Sequence, residues 1–208
     1  MTTAFQYVFD KAESISINKR AVVSQTTTRD QTVRTVSRGG QVWRFDVKLP
    51  DGIRWSDARP YIEKMEKMDR FTSGTVQMNN AGYNTWLSAY RGQASSTSGF
   101  SASSTGTDAI TLTATPGGLT SGQKTLAAGD FIQLGSSGHV YSVAADVIYP
   151  ATAVTLNRPV LDANATYSLL IGPAVTWTVV CVEFPQWTIF SRDQVSWSGA
   201  FKFVEYNV

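Results

Sequence analysis

The stretch Ser196-Trp-Ser-Gly-Ala-Phe-Lys-Phe-Val-Glu-Tyr-Asn-Val208 decides how this chain is read. Trp197, Gly199, Phe201, Phe203 and Glu205 fall on one side of a period-2 alternation, and Ser198, Ala200, Lys202, Val204 and Tyr206 on the other. A closing segment this apolar is expected to pair into a sheet, because a lone strand leaves its backbone groups and its apolar face in water. The natural place is the sheet begun by the opening residues, whose strands otherwise lack a surface large enough to cover them. The chain is therefore expected to be one domain, 1–93 with 173–208, interrupted by a second, 94–172.

Charge follows the same division. Residues 1–93 carry 14 Lys/Arg against 9 Asp/Glu, residues 94–172 carry 2 against 4, and residues 173–208 carry 2 against 3. Only 16% of the 208 residues are charged, below the roughly 25% usual for soluble domains. Neutral surface rich in Ser, Thr and Gly suits contact with other subunits, since charge is depleted at interface cores. No run of like charge marks a nucleic-acid footprint. The single cysteine, Cys181, excludes an intrachain disulfide and fits a reducing compartment. Met1–Val8 lacks the basic and apolar regions of a leader, so a soluble protein without a classical export signal is expected.

Working back from the closing strand, Trp43, Phe45, Val47 and Leu49 alternate with Arg44, Asp46 and Lys48, and Gly39-Gly40 predicts a hairpin turn within Gln31–Leu49. After Pro50-Asp51-Gly52 the period changes to that of a helix. Ala58, Tyr61, Ile62, Met65 and Met68 form one apolar stripe, with Ser56 as the expected N-cap and the Trp43 face as the expected partner. It is the only helix the periodicity predicts. Phe71–Arg91 reads as strand and loop, and Gln93–Gly106 as a flexible junction. Five short strands follow, at Ala109–Ala114, Phe131–Leu134, His139–Val147, Val154–Leu156 and Tyr167–Ile171, as in a small barrel or sandwich. Ala174–Phe184 and Trp187–Phe190 precede the closing strand.

Catalytic signals are few. His139 is the only histidine, and a Ser-His-Asp arrangement through Asp130 or Asp146 lacks a nucleophile elbow. Glu63 and Glu66 sit four residues before Lys67 and Arg70, the spacing of surface ion pairs on a helix. No enzymatic activity, metal or cofactor is expected. Trp43, Trp177 and Trp197 are core candidates by their alternation, whereas Trp55, Trp86 and Trp187 lie near turns, where an indole serves as an interface anchor or a sugar platform.

Three stretches carry a family likeness. Arg38 to Phe45, leading to a strand, a Pro-Asp-Gly turn and an amphipathic helix, resembles the belt domain of distal tail proteins of long-tailed bacteriophages. Leu126-Ala-Ala-Gly-Asp-Phe-Ile-Gln-Leu-Gly135, followed by Val140, Tyr141 and Val143, resembles β domains inserted in phage tail-tip proteins, and Trp187–Val208 is similar to the returning belt strand. The resemblance implies a mainly β fold with one α-helix, a discontinuous β-sandwich belt domain carrying an inserted OB-like β-barrel or a small sandwich. It also implies a homo-oligomeric ring, commonly a hexamer, that joins the tail tube protein to the tail hub or tip proteins and leaves a channel for DNA. Such a protein is made in the host cytoplasm, resides in the virion tail and does not insert into membranes. Arg34, Arg38, Trp43, Arg44 and Phe45 are the interface candidates, the arginines facing acidic groups of a neighbour or the channel. A tail tube or tube-completion subunit, or a host-glycan-binding tail module, is the alternative.

Overall fold

The computed structural model describes residues 3–20, 23–27, 29–31, 33–37, 41–68, 72–79, 83–104, 107–136 and 138–206. Strand outweighs helix, 41% to 15%, and one sheet curls into a half-barrel, so the chain is mainly β. It opens with α1 (Ala4–Asp10), β1 (Ser14–Asn18), β2 (Val23–Thr27), β3 (Val33–Ser37), β4 (Arg44–Lys48), β5 (Ile53–Arg54), α2 (Trp55–Lys67), β6 (Ser73–Gln77) and α3 (Tyr83–Ser88). There follow β7 (Ser101–Ser104), β8 (Ala109–Ala114), β9 (Lys124–Leu126), β10 (Phe131–Leu134), β11 (Val140–Ser142), β12 (Val147–Ile148), β13 (Ala153–Thr155) and β14 (Thr166–Ile171). A 3-10 turn at Gly172–Ala174 leads to β15 (Thr176–Glu183), β16 (Trp187–Phe190), β17 (Gln194–Trp197) and β18 (Phe201–Glu205). The chain divides into two compact units, residues 1–74 with 178–208 and residues 75–177, where the sequence suggested divisions at 93/94 and 172/173.

A five-stranded sheet has the order β1-β4-β18-β15-β6, of which β1, β4 and β18 lie wholly in the first unit. β4 lies antiparallel to both β1 and β18, with Phe45 opposite Ile17 on one side and Phe203 on the other. This pairing corrects the expected Gly39-Gly40 hairpin. β3 pairs with β2 instead, Val33 against Thr27, and the Gly39-Gly40 dipeptide lies outside the described residues. The apolar face of β4 explains the choice, because Phe201 and Phe203 give Val47 and Phe45 fully buried neighbours. Burying one such phenylalanine is worth about 1.5–3 kcal/mol.

Helix α1, which the periodicity did not announce, covers this face. Phe5 meets Phe203 edge-on at 5.2 Å and Phe9 meets Phe45 at 5.7 Å. Five of its seven residues are buried, and its polar edge is only Gln6 and Asp10, bonded to each other at 2.7 Å, too little for a periodicity to reveal. Thr3 caps it, its hydroxyl oxygen accepting from the Gln6 amide at 3.1 Å. The expected helix is α2, but it rests on α1, Tyr61 stacked on Tyr7 at 3.9 Å, and not on the Trp43 face. It also begins two residues earlier than predicted, with Arg54 at the N-cap, while the Ser56 hydroxyl reaches Asp193 at 3.5 Å. The closing stretch is two strands, not one. β17 belongs to a sheet of order β16-β17-β5, and β18 to the large sheet, with Ser198–Ala200 turning between them.

In the second unit a six-stranded sheet runs β11-β10-β14-β7-β8-β13, with β12 and β9 as a separate pair. The expected junction therefore contains a strand, since β7 pairs with β8 and β14. Phe100, Ile132, Tyr141, Leu169 and Ile171 form part of its core. The Ala127–Phe131 turn is held by Asp130, whose buried carboxylate accepts from the amides of Ala127 and Arg91, both at 2.9 Å. Burial raises that carboxyl against these bonds. Gln133 donates to the carbonyls of Gly138 (2.8 Å) and Thr176 (3.0 Å) and accepts from the Thr176 amide (2.9 Å).

Candidate functional site

The interface candidates separate by the direction their strand points them. Trp43 and Phe45 are 1% and 0% exposed, on the inward side of β4, which corrects their assignment to a subunit interface. Trp43 is locked to the closing strand, its N–H donating to Glu205 Oε2 at 3.2 Å and its carbonyl accepting from the Glu205 amide at 2.8 Å. Lys19 lies over the Trp43 ring at 5.3 Å, and burial lowers the pKa of its ammonium. Arg34 sits on β3 opposite Thr26, and Arg38 lies outside the described residues.

Arg44 alone of the five is shown with its side chain outward. It shares a row across the sheet with Asn18 of β1 and Val204 of β18, beside a second row of Ser16, Asp46 and Lys202. Asn18, Arg44, Asp46, Lys202, Val182 and Val204 border a depression of about 250 Å³. Lys202 reaches Glu183 at 2.7 Å, and this bond raises the pKa of its ammonium. Exposed pairs of this kind contribute little to stability, so this charged face is available for recognition.

The Pro50-Asp51-Gly52 turn is a structural device. The Asp51 carboxylate accepts from the Trp197 amide at 3.1 Å, and this bond, with one from the Ser196 hydroxyl, holds its carboxyl below the usual range. Gly52 has φ +90°, which only glycine adopts readily.

His139 meets neither Asp130 nor Asp146, since Asp146 pairs with Lys124 at 2.7 Å. Its partner is Asp162, with His139 Nδ1 at 3.1 Å from Oδ1 and the Tyr141 hydroxyl donating to Oδ2 at 2.7 Å. Burial pushes Asp162 up, but the bonds from His139 and Tyr141 prevail and hold its carboxyl low. Burial, then the Asp162 bond, pushes the Tyr141 hydroxyl up. Arg158 completes the group, donating to the Val140 carbonyl at 2.8 Å with its guanidinium 5.2 Å from the Tyr141 ring. Tyr141 is fully buried and Arg158 is 3% exposed, so the cluster fastens the loop after Leu156 to β11. Asp162 carries no motif in sequence, because it is brought to His139 from 23 residues away.

The three turn-proximal tryptophans differ. Trp86, on α3, is 69% exposed with the Arg91 guanidinium 5.7 Å from its ring. Trp55 and Trp187 stack on each other at 4.7 Å, and Trp187 Nε1–H donates to Glu66 Oε1 at 3.2 Å. Beside them an open pocket of about 340 Å³ is lined by Glu66, Phe184, Pro185, Gln186, Trp187 and Thr188. The helix reading gave Glu66 a surface ion-pair spacing and missed this second role.

Among the described residues no group of three or more His, Cys, Asp or Glu is placed to hold a metal ion, and no helix is long and apolar enough to cross a membrane. The chain matches no protein-family model and no curated protein.

Proposed function

We propose that the chain is a structural subunit of a bacteriophage tail tip, without enzymatic activity, that assembles with copies of itself into a ring. In this reading the ring joins the tail tube to the distal tip or receptor-binding apparatus and leaves a channel for DNA. The observation that carries it is the β2–β3 ribbon, which forms a two-stranded sheet of its own among the described residues. Two strands alone are marginal in water, and a ribbon with both edges open is completed by adding to a neighbour's sheet. Repeating a heterologous contact of this kind closes a ring. The pairing of β4 with β18, which brings the two ends of the chain into one unit, supports the resemblance to a belt domain.

Negative-stain imaging and light scattering of the purified protein test the proposal. Rings of uniform subunit number are expected, and a monomer at every concentration refutes it. Labelling on isolated tails separates a distal ring from a tube or completion position. The exposed Trp86 favours a second reading, host-glycan binding by the inserted unit. A Trp86-dependent signal on a glycan array is its test.

A further inference from the structure

The pocket beside α2 and the tip of the β16–β17 hairpin are complementary in chemistry. The pocket is walled by the aromatic rings of Phe184 and Trp187, and Glu66 is its one charged group. The walls are fixed. Phe184 packs edge-on against Phe201 at 5.0 Å, and Trp187 is held by its stack on Trp55 and its bond to Glu66. A carboxylate sharing a pocket with aromatic side chains suits a planar organic cation, which gains from both the charge and the ring quadrupoles.

The hairpin tip supplies such a cation. Arg192 is exposed, and among the described residues its guanidinium has no carboxylate within ion-pair distance. Ser191 and Arg192 both hold positive φ, 45° and 68°, without being glycine, a conformation that residues with a Cβ adopt only at a cost. The turn is pinned at its base, where the Trp55 amide donates to the Asp193 carbonyl at 2.8 Å. Ile189 and Phe190, the last residues of β16 before this turn, are 45% and 41% exposed. A strained, braced turn thus presents an arginine just beyond two uncovered apolar side chains.

Arg192 does not line its own chain's pocket. Strand geometry sets Phe190 about 10 Å from Trp187, and the turn carries Arg192 farther still. We infer that Arg192 of one copy enters the Glu66–Phe184–Trp187 pocket of the next. The contact joins two different patches of the same chain, so it is heterologous and propagates around a ring. This inference rests on the self-assembly reading above and names a contact that specifies it.

The test measures self-association of the full chain by sedimentation velocity for wild type, Glu66→Gln, Glu66→Arg, Arg192→Glu and the Glu66→Arg/Arg192→Glu double variant. Both positions are exposed, and circular dichroism verifies folding. Each single reversal is expected to weaken association about tenfold or more, with the double variant recovering most of the loss. Glu66→Gln, which retains an acceptor for Trp187, is expected to weaken it less than Glu66→Arg. Wild type that associates while both reversals leave association unchanged, or a double variant no better than the worse single, overturns the contact and spares the ring. Wild type monomeric throughout overturns the ring and this contact together.

Discussion

Phe203→Ala tests whether the two ends of the chain fold as one body. Phe203 is fully buried, paired in register with Phe45 and in ring contact with Phe5 and Phe9, both at 5.2 Å. Truncating such a side chain costs about 3–5 kcal/mol, the lost transfer energy plus the cavity left behind. At about 1.4 kcal/mol per factor of ten, protection against amide exchange is expected to fall by roughly 100- to several-thousand-fold. Hydrogen exchange read by mass spectrometry on peptides from α1, β1, β4 and β18 gives the measurement. All four are expected to lose protection together, although α1 and β1 lie some two hundred residues from the substitution in sequence. Lys202→Ala, one residue away on the outward face, is expected to change stability by no more than about 0.5 kcal/mol. Loss confined to β18, with β1 and β4 unchanged, refutes the single-body argument.

Two further outcomes follow from the inserted unit. Asp130→Ala leaves the Ala127 and Arg91 amides without their acceptor in a buried turn, and about 2–5 kcal/mol is expected to be lost in denaturant unfolding, whereas Asp130→Asn, which keeps an acceptor oxygen, costs less. Asp162 has a folded-state pKa below its unfolded value, which is about 3.9. Its contribution is therefore fully present well above pH 4 and lost as pH falls through the folded value. Denaturant midpoints between pH 7 and pH 2.5 are expected to drop less steeply for Asp162→Asn than for wild type, and identical slopes refute the assignment.

What was legible in the sequence follows from how each element is buried. β4 and β18 each bury one face, so Phe45, Val47, Phe201 and Phe203 wrote their alternation into the chain. Helix α1 is apolar nearly all round and seven residues long, too short and too uniform to show a period. Strand β7 is Ser-Ala-Ser-Ser, whose inward residues, Ala102 and Ser104, are as small as its outward ones, so its composition imitated a linker. The paired glycines at 39–40 suggested a turn between strands that are not partners, because local turn chemistry is blind to a better apolar match more than 150 residues away. Among the site residues, Arg44 and Asp46 alternate visibly with the core. The Glu66–Trp187 bond and the Asp162 cluster join segments remote in sequence and leave no spacing to read.

The inward placement of Trp43 and Phe45 also constrains how any partner can bind. Two aromatic side chains committed to α1 and β18 cannot be withdrawn without exposing a core that includes Phe5, Phe9 and Phe203. Association must therefore use what the first unit leaves outside, namely backbone edges and outward side chains. Edges give affinity through main-chain hydrogen bonds but discriminate poorly, since every strand offers the same groups. Specific pairing needs side chains that only the right neighbour satisfies. Arg192, Glu66 and the Arg44–Asp46–Lys202 face are charged, outward and set on a braced turn, a helix and paired strands. In the proposed ring the β2–β3 ribbon would supply the affinity and these charges the register, and charge reversal there is expected to scramble or block assembly while leaving the folded protomer intact.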